Sequence, residues 1–313
     1  MTISLVFPGQ GSQAVGMGVD LAESFSVARE TFQEVDESLK QNLFKLMSEG
    51  PTDTLTLTEN AQPALMSVSL AVMRVLELEG GFEITDHAAF VAGHSLGEYS
   101  ALAAVGSFTL TDAAQLLKTR GKAMQEAVPV GEGGMAALLG ANLEVASNLA
   151  EAASEGEVCS PANDNAVDQV VISGSASAID RAVALAPEFG IKRAIPLTVS
   201  APFHCDMMAP AANIMQEALT KIDVSPPLVP LIANVTARPV QEPDIICQQL
   251  VQQVTGMVRW RESILQMKKE GVDRLVEIGA GKVLGGLVRR IDREMSGFSI
   301  SEPEGIEKFL LSL

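Results

Sequence analysis

The chain has 313 residues, of which 47% are hydrophobic and only 4% aromatic, so aliphatic side chains must fill a large core. Its formal net charge of −17 argues against nucleic acid and against an anionic membrane surface as partners. We expect no secretory signal and no stretch as long as a membrane span. The three cysteines lie far apart in the sequence, and we expect free thiols in a cytoplasmic protein.

The first predicted element is a short apolar strand, residues 3–7, followed by the loop Pro8-Gly9-Gln10-Gly11-Ser12-Gln13. Two glycines around Gln10 predict a tight loop whose backbone can approach a ligand closely. Residues 9–14 also match a loose dinucleotide-binding pattern. That alternative is disfavoured because Pro8 opens the loop and the chain is predicted helical where an acidic strand end is required.

Short helices are predicted over residues 20–50 and a longer one over 61–78, before an apolar strand near Phe90. This strand leads into Gly93-His94-Ser95-Leu96-Gly97, and a helix is predicted over 98–105. A serine between two glycines, after a strand and before a helix, is typical of a nucleophile on a sharp turn. The backbone N–H of Leu96 would then lie at a helix N-terminus, where it can stabilise an oxyanion. The alternative is a structural turn that happens to carry a serine.

A helix over 112–128 carries Arg120, and the flexible segment 131–134 follows. Beyond it the predicted order is strand, helix, strand, strand, helix, strand, which is the order of a ferredoxin-like subdomain. We predict that this subdomain, residues 131–199, is inserted into a larger one. Its strands are predicted at 135–139, 158–163, 169–173 and 193–199, and its helices at 143–153 and 176–186.

Alternating strands and helices resume after residue 200. Together with the N-terminal part, they predict an α/β fold with a mostly parallel sheet and helices on both faces. We therefore predict a large subdomain made of residues 1–130 and 200–313. Its later helices are predicted at 207–222, 243–254, 263–269 and 283–291, and its later strands at 228–233 and 274–278.

Ser95 needs a base to act as a nucleophile, and the chain has only three histidines. His94 is adjacent to Ser95 and should point to the opposite face of the strand. His87 precedes the strand and lies at the wrong end of the sheet. Elimination leaves His204, although a lone histidine in a loop is usually structural. No acidic residue has an obvious position for orienting it, so a backbone carbonyl could equally do so.

Several motifs, in this order along nearly the whole chain, resemble the malonyl-CoA:acyl carrier protein transacylase family. This acyltransferase family includes domains of fatty acid and polyketide synthases. The resemblance implies an α/β-hydrolase-like large subdomain and a ferredoxin-like small one. The motifs are Pro8-Gly9-Gln10-Gly11-Ser12-Gln13, Gly93-His94-Ser95-Leu96-Gly97-Glu98-Tyr99, Arg120-Gly121-Lys122 with Met124, Ser200-Ala201-Pro202-Phe203-His204, Gln253 with Trp260, and Glu277-Ile278-Gly279-Ala280-Gly281-Lys282-Val283-Leu284.

The resemblance implies roles for individual residues of the catalytic step. Ser95 would be the acylated nucleophile and His204 its base. The main-chain carbonyl of Gln253 would orient His204 in place of an acid. The backbone N–H groups of Gln10 and Leu96 would form the oxyanion hole.

Other residues would bind the substrate. Arg120 would hold the malonyl carboxylate through a two-pronged salt bridge, and Asn163 and Asn165 would line the substrate channel. Phe203, with Leu96, resembles the malonyl-selective versions of the family, in which bulky neighbours crowd a 2-methyl branch. The alternative for these two residues is ordinary core packing.

The implied function is transfer of a malonyl group from malonyl-CoA to the phosphopantetheine thiol of acyl carrier protein, for fatty acid biosynthesis. The implied mechanism is ping-pong, through an ester on Ser95, and we expect no metal or redox cofactor. The acidic carrier would dock on a local basic patch, with Lys192-Arg193 preferred over Arg289-Arg290. Two alternatives are a serine hydrolase of the esterase type and a non-catalytic module that docks the carrier.

Overall fold

Two β-sheets organise the computed structural model, which describes residues 2–313. The strands are β1 (Ile3–Phe7), β2 (Ala88–Gly93), β3 (Gly133–Leu139), β4 (Cys159–Ala166), β5 (Gln169–Ser175), β6 (Arg193–Pro196), β7 (Leu231–Ile232), β8 (Pro239–Val240), β9 (Arg274–Ile278) and β10 (Ser296–Ile300).

Helices connect these strands. They are α1 (Val19–Ser24), α2 (Ser26–Leu39), α3 (Leu43–Glu49), α4 (Thr52–Thr56), α5 (Thr58–Leu78), α6 (Ile84–His87), α7 (Gly97–Ala104), α8 (Leu110–Glu126), α9 (Leu143–Ser154), α10 (Ala176–Leu185), α11 (Ala209–Leu219), α12 (Pro243–Thr255), α13 (Trp260–Lys269), α14 (Val283–Ile291) and α15 (Pro303–Leu310). Two 3-10 turns lie at Ala186–Phe189 and Asp206–Met208.

The large sheet has the strand order β10-β9-β1-β2-β7-β8, and every neighbouring pair is parallel except β7 and β8. All of β1 is buried, as expected for a parallel strand covered on both faces. Leu5 and Phe7 pack into the core on one face, whereas Val6 packs with Trp260 and Leu284 on the other. The predicted α/β fold with a mostly parallel sheet is therefore confirmed.

The small sheet has the order β4-β5-β3-β6, with all pairs antiparallel. Helices α9 and α10 connect its strands in the ferredoxin-like order and share a separate hydrophobic core with β3 and β5. The sheet lies between Gly133 and Pro196, inside the predicted segment 131–199. Its last strand ends at Pro196, before the predicted end at residue 199.

Helix α5 is the central helix of the large core. It has 21 residues and packs against α2 and α8. By length and composition it could cross a membrane, so the expectation that no stretch is that long was wrong; most of its apolar stretch is buried inside the protein. A long apolar sequence is expected for a helix that is surrounded by other elements.

Some elements differ from the sequence-based predictions. The predicted helix 207–222 is a 3-10 turn followed by α11, and the predicted strand 228–233 is reduced to β7. The sequence analysis did not predict β10 or α15, which complete one edge of the large sheet. These short segments carry few apolar residues, so their pattern is weak without the sheet they join.

An ion pair with a buried carboxylate joins the small sheet to helix α13. The carboxylate of Asp164 in β4 is fully buried, and Arg261 in α13 donates to it, with an Nη2–Oδ2 distance of 2.9 Å. Backbone hydrogen bonds between Val258 and β4 support the same junction. Burial raises the pKa of Asp164, and the hydrogen bond and charge of Arg261 oppose that rise.

We expect Arg261→Ala to lower the free energy of unfolding by about 3 kcal/mol, because it leaves a buried carboxylate without its cation. Urea unfolding at mildly alkaline pH measures this loss. Arg290→Ala is the matched control, since Arg290 also reaches across to the small sheet but its pair with Asp168 is exposed. Equal losses in the two variants would contradict a structural role for the buried pair.

Candidate active site

The turn at Ser95 joins β2 directly to α7. Ser95 adopts a left-handed conformation with φ of 54°, which is rare for a residue with a Cβ. A Cβ at Gly93 would overlap the backbone of Gly97, and a Cβ at Gly97 would overlap the carbonyl of Phe7. The two glycines are therefore required, because any side chain at either position would overlap the backbone.

Asn234 holds this turn from the other side. Its Oδ1 accepts a hydrogen bond from the Ser95 N–H at 2.8 Å, and its Nδ2 donates to the Gly93 carbonyl at 2.7 Å. Asn234 was not predicted from the sequence. The available signal was its position directly after a predicted strand of a parallel sheet, at the edge where the polar residues of such sheets collect.

The structure brings His204 to Ser95. The Nε2 atom of His204 lies 2.8 Å from Ser95 Oγ, and its Nδ1 lies 2.8 Å from the Gln253 carbonyl oxygen. Because the carbonyl can only accept, Nδ1 carries the proton and Nε2 is free to accept the serine proton. Gln253 is in the last turn of α12, where carbonyls lack a partner within the helix.

The environment of His204 keeps its ring neutral. Burial, helped by the nearby positive charge of Arg120, lowers the pKa of His204 to about 3. The hydrogen bond to Gln253 opposes this shift and is the weaker effect. A neutral imidazole in contact with a hydroxyl is the form required of a general base. The other two histidines do not contact Ser95: His94 bonds to Asn165, and His87 stacks on Phe82.

Arg120 reaches the same point from α8. It is 1% exposed, and its Nη2 donates to Ser95 Oγ at 3.1 Å and to Gln253 Oε1 at 2.8 Å. Its Nη1 donates to Gln62 Oε1 at 2.8 Å. Across residues 2–313 no carboxylate forms an ion pair with Arg120, and its Nε has no hydrogen-bond partner. A buried cation without a counter-ion can bind an anionic group.

Gln10 and Leu96 line the same cavity as Ser95, His204 and Arg120. Within the described chain, the backbone N–H groups of Gln10 and Leu96 donate no hydrogen bond. Leu96 is the N-terminal cap of α7, where free N–H groups carry a partial positive charge. Two unpaired donors beside a serine hydroxyl could receive the oxygen of a reacting carbonyl.

The cavity at Ser95 has a volume of about 350 Å³. Phe203 and Asn163 also line it, whereas Asn165 lines a second cavity of about 240 Å³ between the Gln10 loop, the small sheet and α14. Asn163 borders both cavities, and Asn165 Oδ1 lies 2.8 Å from His94 Nε2. A larger cavity of about 650 Å³ between α11 and α12 contains none of the predicted site residues.

The basic pairs expected to dock the carrier differ in their surroundings. Lys192 and Arg193 are exposed and form no ion pair within residues 2–313. Arg290 is exposed, and its guanidinium is held by Asp168 and by Gln169 of the small sheet.

Glu98 is a second residue of the site that the sequence analysis did not assign. It is 1% exposed in the first turn of α7, and it accepts hydrogen bonds from Gln253 Nε2 and from the Asn234 backbone N–H. Its signal was an acidic residue three positions after the nucleophile, in a helix whose other residues are uncharged. Burial raises the pKa of Glu98 to about 7.

The known proteins that this chain resembles in sequence are acyl transferases. A sequence profile of the acyl transferase domain matches residues 4–297. A malonyl CoA-acyl carrier protein transacylase of Bacillus subtilis strain 168 is 45% identical over 312 residues, which cover 99% of this chain and 97% of that protein.

Solved structures of the same kind superpose over the whole chain. The crystal structure of an acyl-carrier-protein-S-malonyltransferase from Bartonella henselae has a TM-score of 0.97 at 52% identity and covers 100% of this chain and 99% of that one. A malonyl-transacylase in complex with a type II polyketide acyl carrier protein has a TM-score of 0.96 at 39% identity, with 100% of both chains covered.

The neutrality of His204 can be tested by NMR of histidine-labelled protein. The ring should stay neutral well below its usual pKa of 6.5 and protonate only near pH 3. Arg120→Gln should raise this pKa, because it removes a nearby positive charge. The pKa of His204 is lower in the folded chain than in the unfolded chain. Lowering the pH below 6.5 therefore favours the unfolded chain and reduces the free energy of unfolding. A His204 resonance that titrates near 6.5 in the resting protein would contradict this assignment.

Proposed function

This chain belongs to the family of acyl transferase domains, and from that premise we propose that it transfers a malonyl group from malonyl-CoA to acyl carrier protein. The acceptor is the phosphopantetheine thiol of the holo carrier, and the product supplies fatty acid biosynthesis. A relative that is 45% identical over nearly the full chain carries the name of this activity. A similar structure was solved with its carrier protein bound.

The first half of the reaction acylates Ser95. His204 Nε2, 2.8 Å from Ser95 Oγ, takes the hydroxyl proton as the oxygen attacks the thioester carbonyl. The negative charge on the carbonyl oxygen is stabilised by the N–H groups of Gln10 and Leu96. When the tetrahedral intermediate collapses, the C–S bond breaks and the coenzyme A thiol leaves with the proton from His204.

The second half reverses these roles with a new thiol. His204 takes the proton of the phosphopantetheine thiol, whose sulfur attacks the ester on Ser95. Collapse of this intermediate breaks the bond to Ser95 Oγ, which recovers its proton from His204. The two substrates therefore use one site in turn, as expected of a ping-pong transfer.

The observation that carries this proposal is the unpaired guanidinium of Arg120, 3.1 Å from Ser95 Oγ. In a malonyl ester on Ser95 only two carbon atoms separate the ester oxygen from the free carboxylate, so this carboxylate can reach the guanidinium of Arg120. Planar guanidinium and carboxylate groups form two parallel hydrogen bonds. A hydrolase of simple esters has no use for such a buried cation, which disfavours the esterase alternative.

The proposed substrate-binding residues surround this point. Phe203 and Leu96 both line the cavity at Ser95, where they would crowd a 2-methyl branch. Asn163 and Asn165 border the adjoining cavity and would line the path of the substrate. Gln253 contributes its carbonyl to His204 and its side chain to Arg120.

We also propose the division into a large subdomain, residues 1–130 and 200–313, and a ferredoxin-like insertion, residues 131–199. The separate hydrophobic core of the small sheet supports this boundary. We propose a cytoplasmic location, which the free thiols of Cys159, Cys205 and Cys247 support. Limited proteolysis that failed to cut near either boundary would contradict the proposed division. Export of the native protein from the cell would contradict the proposed location.

Incubation with malonyl-CoA should place one malonyl group on Ser95, detected by mass spectrometry of the intact protein and its peptides. Ser95→Ala should abolish the adduct, and His204→Ala should slow its formation by about 10²- to 10⁴-fold, because the base is lost. A burst of coenzyme A release without turnover supports transfer. Steady release in the absence of carrier would instead support a hydrolase, and no adduct at all would support a non-catalytic module.

Arg120→Ala should lower kcat/KM for malonyl-CoA by about 30-fold or more, because loss of a buried charge pair costs about 2–5 kcal/mol. Because acetyl-CoA has no carboxylate, kcat/KM of the variant for acetyl-CoA should fall little or rise. Lys122→Ala is the matched control, since Lys122 lies on the same helix and is exposed beside Glu126. If Arg120→Ala affected both donors equally, Arg120 would not be the carboxylate-binding group.

A further inference from the structure

Glu98 is a buried carboxylate that the proposed mechanism does not use. The described chain has two other fully buried acids, and both have evident structural partners. Asp164 pairs with Arg261, and Glu277 accepts from the first N–H groups of α14 and from Ser299. Glu98 forms no ion pair within residues 2–313, although a charged group in such a place is expensive.

The side chain of Gln253 connects Glu98 to the reacting groups. Its Nε2 donates to Glu98 Oε2 and, at 3.0 Å, to the Ser95 carbonyl, while its Oε1 accepts from Arg120 at 2.8 Å. An arginine can only donate and a carboxylate can only accept, so these neighbours admit a single orientation of the amide. The same residue presents its main-chain carbonyl to His204 Nδ1.

Glu98 also reaches the support of the serine turn. Both of its carboxylate oxygens lie 3.4 Å from the backbone N of Asn234, whose side chain holds Ser95 and Gly93. One carboxylate thus touches the residue that orients the base and the residue that holds the nucleophile. Neither contact is with a reacting atom.

We propose that ionised Glu98 is a positioning residue of the acyl transfer: through Gln253 and Asn234 it fixes His204, Arg120 and Ser95 relative to one another. The inference rests on the proposed function and deepens it. The carboxylate of Glu98 is separated from His204 by Gln253. In a Ser-His-Asp triad, by contrast, a carboxylate contacts the histidine directly.

Protonation should weaken this arrangement. A protonated carboxyl has an O–H that needs an acceptor, and the groups of Gln253 and Asn234 that contact Glu98 are donors. The other charged or titratable groups that face it are Arg120 on α8 and the adjacent Tyr99. Since the pKa of Glu98 is raised to about 7, the ionised, active form is lost as pH falls through neutrality.

The test is Glu98→Gln, which keeps the shape and removes the charge. The rate of Ser95 acylation by malonyl-CoA is followed by rapid quench across the neutral pH range, with kcat and KM determined separately. We expect kcat to fall by about 10- to 100-fold at mildly alkaline pH, with KM nearly unchanged. The wild-type rate should show an inflection near pH 7 that the variant lacks.

Glu277→Gln is the matched control, because it removes another fully buried carboxylate, near the end of strand β9. It should lower the melting temperature and leave the pH profile of acylation unchanged. A Glu98→Gln protein with wild-type kcat, or one that keeps the inflection near neutral pH, would overturn the proposal.

If Glu98→Gln does not fold, Glu98→Asp tests the proposal instead. It keeps the negative charge and withdraws the carboxylate from Gln253 and Asn234 by the length of one methylene. A reduced kcat with the inflection retained supports the positioning role, and a wild-type kcat overturns it. Both variants are judged on protein that still forms the malonyl adduct on Ser95. Failure of this inference is therefore distinct from failure of the proposed function, in which the wild-type protein itself forms no adduct.

Discussion

The site depends on one backbone constraint, the left-handed turn that carries Ser95 between β2 and α7. A residue with a Cβ adopts this conformation only where the surroundings hold it there, at a cost of about 1–3 kcal/mol. Here Gly93 and Gly97 allow close backbone contacts that any side chain would prevent. Asn234 holds the turn through hydrogen bonds to the backbone on both sides of His94. His204 has a similar conformation, with φ of 61°. Both halves of the proposed dyad are therefore set by strained backbone and not by flexible side chains.

The polar groups beneath this turn form a connected network in the core. Gln253 is its centre, because it uses its carbonyl, its amide oxygen and its amide nitrogen on different partners. A buried network of this kind stabilises one arrangement when its members are satisfied. The exception is Arg120 Nε, which is buried without a partner on the cation that is proposed to await the substrate carboxylate.

The sequence predicted the α/β class, the ferredoxin-like order and the meeting of Ser95 with His204, because these depend on local patterns and on the small number of histidines. It did not predict Asn234 or Glu98. Their partners are far away in sequence, since Asn234 meets Ser95 139 positions earlier and Gln253 meets Glu98 155 positions earlier. Only the folded sheet brings such residues together. The role of Gln253 came from family resemblance, since no property of a glutamine in sequence reveals what its main-chain carbonyl will accept.

A carbonyl in place of a triad acid is consistent with the needs of a malonyl site. A carboxylate beside His204 would raise the pKa of the ring and would also be a ready counter-ion for Arg120, in competition with the substrate. The Gln253 carbonyl orients Nδ1 without a full charge, and the C-terminal end of α12 adds a partial negative charge there. The Gln253 amide lies between Glu98 and Arg120, because it donates a hydrogen bond to the carboxylate and accepts one from the guanidinium. The arrangement keeps His204 neutral and leaves Arg120 without a counter-ion, as the proposed malonyl site requires.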